Sequence, residues 1–195
     1  MRPSGGASAG AKRAIALANA TPAATSEAGR LTPPVAADIG LNRSRPVPLG
    51  HTVAAGPLEM RVFDVRSGRG AVAAVRAASP GNDPPRDGVT YVIVRLAVRN
   101  TGDAPVAISG NDFGLTGASG VVQRFLDVIP PDPPRAATVP PGAATDGWVV
   151  FAMPDGEQGL LLLFDSVSIP GNWADRVLAL ESQPRSGATP AAGEA

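Results

Sequence analysis

The chain has 195 residues with 17 basic and 17 acidic side chains, so its net charge is zero, and 44% of its residues are hydrophobic. That length suits one domain with a single core, while the charge balance offers no basic surface for nucleic acid or for an anionic membrane. Cysteine is absent, which excludes disulfides, thiolate metal sites, a Cys nucleophile and a lipid-modified Cys within these residues.

Residues 1–44 are dominated by Ala, Gly, Ser, Thr and Pro and read as a disordered leader or linker, because so few large apolar groups cannot offset the entropy of ordering. Within it, Lys12-Arg13 followed by AIALANA has the outline of an export signal with a small-residue cleavage site, although Ile15 and Leu17 are its only large apolar residues. The body starts near Arg45-Pro46-Val47-Pro48-Leu49-Gly50 and runs to residue 182; residues 183–195 read as a disordered tail. No apolar run is long enough to span a bilayer.

Strands are expected at His51 to Ala54 and Leu58 to Val65. In the second, the apolar phase runs Leu58, Met60, Val62 and then slips to Phe63 and Val65, as a β-bulge produces. Ala71 to Ala78 is Ala-rich and ends at Ser79-Pro80-Gly81, which predicts one short crossover helix. The loop Asn82-Asp83-Pro84-Pro85-Arg86-Asp87-Gly88 follows, since its prolines forbid helix and most ladder pairing.

Val89 to Asn100 is the clearest strand. Val92, Val94, Leu96 and Val98 form one buried face, and Tyr91, Ile93, Arg95, Ala97 and Arg99 form the other, which is expected to meet mostly water. Asn100-Thr101-Gly102-Asp103 is its turn, with Gly102 expected to adopt positive φ. Further strands are expected at Val106 to Ser109, Phe113 to Thr116, Val121 to Phe125, Gly147 to Met153, Leu160 to Phe164 and Arg176 to Glu181, with Gly117-Ala118-Ser119-Gly120 as a turn and Pro130-Pro131-Asp132-Pro133-Pro134 as a rigid loop. About nine short strands with Gly and Pro punctuation predict an all-β sandwich or barrel.

The aromatic residues Phe113, Trp148, Phe151, Phe164 and Trp173 are expected in the core. Trp148 to Met153 is apolar on both faces, which suits a strand covered twice or an interface, including a homodimer.

Motifs for chemistry are sparse. Gly68-Arg69-Gly70-Ala71-Val72-Ala73 fits the G-x-G-x-x-A pattern, with Asp87 downstream, but a dinucleotide site needs that acid at the end of a second parallel strand. The chain thereafter is nearly all β, and a Gly-rich turn into a helix is the plainer reading. His51 is the only histidine and no G-x-S-x-G elbow occurs, so no catalytic group is assigned. Asn82, Asp83, Asp87, Asp103, Asn111, Asp112, Asp127 and Asp132 recur in loops; they match no EF-hand spacing, and Asp83 and Asp112 are the weak candidates for calcium. No cofactor is implied.

The order PVPLGHTVAAGPLEMRVFDV, YVIVRLAVRNTGDAPVAISGNDFGL and VPPGAATDGWVVFAMPDG with LLLLFD resembles a bacterial secreted and lipoprotein family, domain of unknown function 4352. The resemblance covers residues 45–182. It implies an immunoglobulin-like β-sandwich in an extracytoplasmic or secreted protein, and no residue-level activity. The family elements present are Asn100 and Gly102, the Asp112-Phe113 pair, Pro141-Gly142, Gly147, Phe151 and Pro154; each has a structural reading as turn, core residue or strand entry. The expected function is a non-enzymatic module that binds a protein or a cell-envelope component, with a small-ligand or calcium carrier as the alternative.

Overall fold

The computed structural model describes residues 30–134, 137–165 and 175–181. The signal-like stretch Lys12 to Ala20, Trp173 and the tail 183–195 lie outside the described residues. The architecture is an antiparallel β-sandwich of the immunoglobulin-like kind with one α-helix. Its strands are β1 (Val53–Ala55), β2 (Leu58–Ser67), β3 (Val89–Asn100), β4 (Val106–Ile108), β5 (Phe113–Thr116), β6 (Gln123–Arg124), β7 (Ala137–Val139), β8 (Ala144–Pro154), β9 (Leu161–Phe164) and β10 (Arg176–Ala179), with helix α1 (Gly68–Ala78) between β2 and β3. One sheet has the order β1-β2-β3-β8, the second β10-β9-β5-β6, and β4 pairs with β7 in a small third sheet.

The main core lies between the two large sheets. Met60, Val62, Val94, Leu96, Val149 and Phe151 from the first meet Phe113, Leu115, Leu162 and Phe164 from the second. Phe113 and Phe164 are register partners and their rings are tilted at 50° with centroids 5.6 Å apart, a favourable aromatic geometry. The expected phase slip in β2 is a bulge: Val62 pairs with Leu96 and Asp64 with Arg95, so Phe63 is the extra residue.

The first sheet is covered on its other face too, which corrects the reading of β3. Tyr91 and Ile93 do not meet water: with Trp148 and Val150 they form a second core under Ala71 and Val75 of α1. Ala71 and Val75 are one turn apart and so share a helix face. An isolated helix of 11 residues is marginal in water, so this packing is what holds α1. Nor is α1 a crossover between parallel strands, because β2 and β3 are antiparallel neighbours; it is an insertion in a hairpin, folded back over the sheet. The doubly apolar Trp148 strand is thus covered on both faces within the chain.

Both sides of the sandwich are closed by loops. Beside β8, Leu126 N–H donates to Val150 O and Trp148 N–H to Pro133 O, while Phe125 bridges to Phe151. On the other side, the described part of the expected leader is bound to the body. Val35 N–H donates to Thr52 O, Val177 N–H to Gly40 O, and Val47 N–H to Val177 O. Composition misled here because residues 30–44 are held by backbone bonds, with Val35 and Ile39 packed against the core.

Candidate functional site

The ends of β3 and β8 form the floor of a cleft on the face that α1 covers. Val89 pairs with Pro154 and Tyr91 with Ala152. One wall is the 82–88 loop, which the prolines keep out of any ladder; the facing wall is the segment Gln123 to Val128 that closes the edge of β8. Together they enclose about 560 Å³, with Tyr91, Val89, Ala152 and Leu126 supplying apolar lining and Asp83, Arg86 and Asp127 at the rim. That volume is within the ~300–1,000 Å³ of ordinary ligand sites.

The two walls are tied at one end by Asn82. Its amide nitrogen donates to Val75 O and to Ile129 O, both at 2.8 Å, and its amide oxygen accepts from Ile129 N–H at 3.0 Å. The side chain is buried and thereby links the end of α1, the first wall and the second. Tyr91 fixes the first wall again, its hydroxyl donating to Asp83 O at 2.6 Å. Burial, and secondly the charge of Asp83, raise the Tyr91 pKa above its ordinary value of 10.0. A smaller cleft of about 240 Å³ lies on the far side of the same loop, sharing Leu126 and Val128 and bounded by Trp148.

The two calcium candidates are not brought together. Asp83 is exposed on the cleft wall, whereas Asp112 is buried in a capping box at the short 3-10 turn Gly110–Asp112. Asp112 Oδ2 accepts from Ser109 N–H at 2.8 Å, and its Oδ1 is buried without a hydrogen bond. Among the described residues no group of three or more His, Asp and Glu side chains is placed to hold a metal ion. Asn82 has a staple's role, and Asp127 lines the cleft. His51 is exposed beside Leu49 O.

The Gly68-Arg69-Gly70 pattern opens α1, with Gly68 at φ +60°. Its flanking strands are antiparallel, whereas a dinucleotide unit needs parallel ones. Gly117 to Gly120 is the expected turn, Gly120 N–H donating to Gly117 O.

The remaining family positions have structural partners. Asn100 is fully buried, its amide donating to Ala104 O and Val139 O and accepting from Gly102 N–H. Gly102 is not among the positive-φ glycines, contrary to the expectation; a Cβ there would stand 2.8 Å from Pro57 Cβ, so close approach is what requires glycine. Gly142 does adopt positive φ, +72°, in the Pro141-Gly142 turn, where its N–H donates to Asn100 O. Gly147 is paired with Leu96, and Phe151 is wholly buried.

Sequence reasoning missed the cluster on the outer face where Arg95 is ion-paired with Asp146 and lies over the rings of Phe63 and Trp148, with Arg66 also over Trp148. It also missed Tyr91, Arg86 and Asp127 as parts of one cleft.

Fold and cleft together define an antiparallel β-sandwich with loops framing an open groove. The chain belongs to the family described as a domain of unknown function (DUF4352), whose model matches residues 47–174. Among solved structures it is similar to the candidate lipoprotein ycdA of Bacillus subtilis, with a TM-score of 0.52 and 16% identity over 69% of this chain and 39% of that one. The chain therefore spans well under half of that protein. It is also similar to the yjhA protein of Bacillus subtilis, with a TM-score of 0.50 and 14% identity over 68% of this chain and 98% of that one. The secreted protein MPT63 of Mycobacterium tuberculosis gives a TM-score of 0.47 and 17% identity over 69% of this chain and 97% of that one. No curated protein matches the sequence. Among the described residues no helix is long and apolar enough to cross a membrane.

Proposed function

We propose that this chain is a non-enzymatic extracytoplasmic module that binds a protein or cell-envelope component through the cleft between the 82–88 loop and Gln123 to Val128. The observation that carries the reading is the Asn82 staple, which holds two loops in fixed relation over a rigid sheet. Loops positioned in this way are where binding residues concentrate, and a preformed groove avoids the ordering cost of binding. Similarity to a candidate lipoprotein supports placing the module outside the cytoplasm.

Two experiments test the two halves. Protease added to intact cells should digest the protein while a cytoplasmic control survives; protection until lysis would overturn the location. A photoreactive residue at Arg86, on the cleft rim, should form an adduct with an envelope component in cells, and one at Arg45, beside Gly40 and β10, should not. Equal adducts, or none, would overturn binding at the cleft. A turnover that one polar substitution abolishes would overturn the non-enzymatic assignment.

A further inference from the structure

The cleft has a chemical polarity that narrows its partner. Asp83 stands on one wall and Asp127 on the other, both exposed, and neither is ion-paired among the described residues. Arg86, also exposed, shares a wall with Asp83. Two carboxylates and one guanidinium therefore face an apolar floor of Val89, Tyr91 and Ala152.

We infer that the cleft docks a short extended segment of a partner protein that presents a basic side chain next to an apolar one. An extended peptide supplies all three complements: a cation for Asp83 and Asp127, backbone carbonyls for Arg86, and an apolar side chain for the floor. An acyl chain with an acidic head would satisfy Arg86 and the floor but set a third negative charge beside the two carboxylates, and a nucleic acid would meet the same repulsion. The groove is already formed because Asn82 ties its walls together, so the peptide meets a site that does not have to close around it. This inference rests on the module reading above and adds the chemistry of the partner.

Tyr91 is the only tyrosine of the chain and lines the cleft, so one labelled ring signal in the NMR spectrum of the full chain reports occupancy. The probes are three capped peptides of the pattern Leu-X-Leu-Pro with X as Lys, Gln or Glu, and sodium decanoate as the anionic amphiphile. The Lys peptide is expected to move the Tyr91 signal saturably and to bind roughly tenfold tighter than the Gln peptide, with the Glu peptide weakest, as two partly exposed ion pairs would give. In the double variant Asp83→Asn with Asp127→Asn, both at exposed positions, the Lys preference should vanish. Asn82→Ala should weaken every peptide.

A Tyr91 signal that no peptide moves, a preference for Glu, or a Lys preference that survives in the double variant would overturn the inference. Movement by decanoate and not by the Lys peptide would overturn it in favour of an anionic amphiphile. If the peptides fail while the Arg86 adduct still forms in cells, the partner chemistry falls and the module reading stands.

Discussion

Gly102 and Gly142 show why one residue type does two different jobs on either side of Asn100. At Gly102 the obstacle to a side chain is Pro57, while at Gly142 it is a backbone at φ +72° with open space around the Cβ position. Alanine should destabilise both, by about 1–3 kcal/mol at Gly102 through overpacking and about 1–2 kcal/mol at Gly142 through left-handed strain. Asparagine separates the causes, since it tolerates left-handed φ: Gly142→Asn should recover most of the loss in chemical denaturation, and Gly102→Asn none. At Asp112, a capping role predicts that Asp112→Ala lowers stability by about 1 kcal/mol. If Asp112 serves only as a cap, calcium should leave the melting interval between wild type and variant unchanged; an interval widened by calcium would show that Asp112 takes part in a metal site. Tyr91 makes a pH prediction. Its pKa is raised on folding, first by burial and then by Asp83, so its contribution is whole below the unfolded value of about 10 and is lost as pH rises through the raised folded value. Deprotonation also removes the donor to Asp83 O. Absorbance of the single tyrosinate should therefore appear late on alkaline titration, and Tyr91→Phe should flatten the fall in stability above pH ~10.

At the scale of elements, β3 was legible in sequence to its ends, Val89 and Asn100, because alternation over so long a run admits one reading. The bulge at Phe63 was legible for the same reason, as a break in alternation. What alternation cannot tell is whether the second face meets water or another layer. Arg95 and Arg99 drew the reading towards solvent, yet Arg95 is ion-paired with Asp146 and sits over Phe63 and Trp148, and α1 covers Tyr91 and Ile93, while Arg99 stays partly exposed beside Glu59. Strand β7 was missed because Ala137–Val139 is three residues whose extended state depends on β4, with no local pattern to announce it. The covering role of α1 gives a test. Val75→Asp puts a carboxylate among Tyr91, Ile93, Trp148 and Val150, where it has no compensating partner. The helix should lift from the sheet, shifting Trp148 fluorescence to the red and lowering helical circular dichroism, while the main core between the sheets stays folded. A wholesale loss of β signal would show that α1 is integral to the sandwich and not a cover upon it.

For the molecule as a whole, the cleft was not legible because its walls lie far apart in sequence and are brought together by long-range bonds such as those between Asn82 and Ile129. The prolines at Pro84 and Pro85 announced a loop; nothing local announced what it faces. The same holds for the start of the folded body. Residues 30–44 look like linker by composition, but Val35 bonds to Thr52 just before β1 and Gly40 to Val177 in β10, Thr32 bonds to the buried Thr52, and Arg61 donates to Arg30 O. Unpaired strand edges template association with other chains, so this segment should matter beyond its own contacts. A chain beginning at Arg45 loses these bonds and the packing of Val35 and Ile39, about 6 kcal/mol gross at ~1 kcal/mol for each bond and side chain, of which the ordering entropy of the segment offsets a part. It should melt on the order of 10 °C below a chain beginning at Arg30, and should self-associate with rising concentration in size-exclusion chromatography. Arg176, whose side chain donates to Ala54 O across the same side, and Val47, bonded to Val177 and Ala179, would then be left to hold β10 on that side. Equal melting temperatures and equal elution for the two chains would instead put the start of the folded body at Arg45, with the preceding residues lying on it at no thermodynamic consequence.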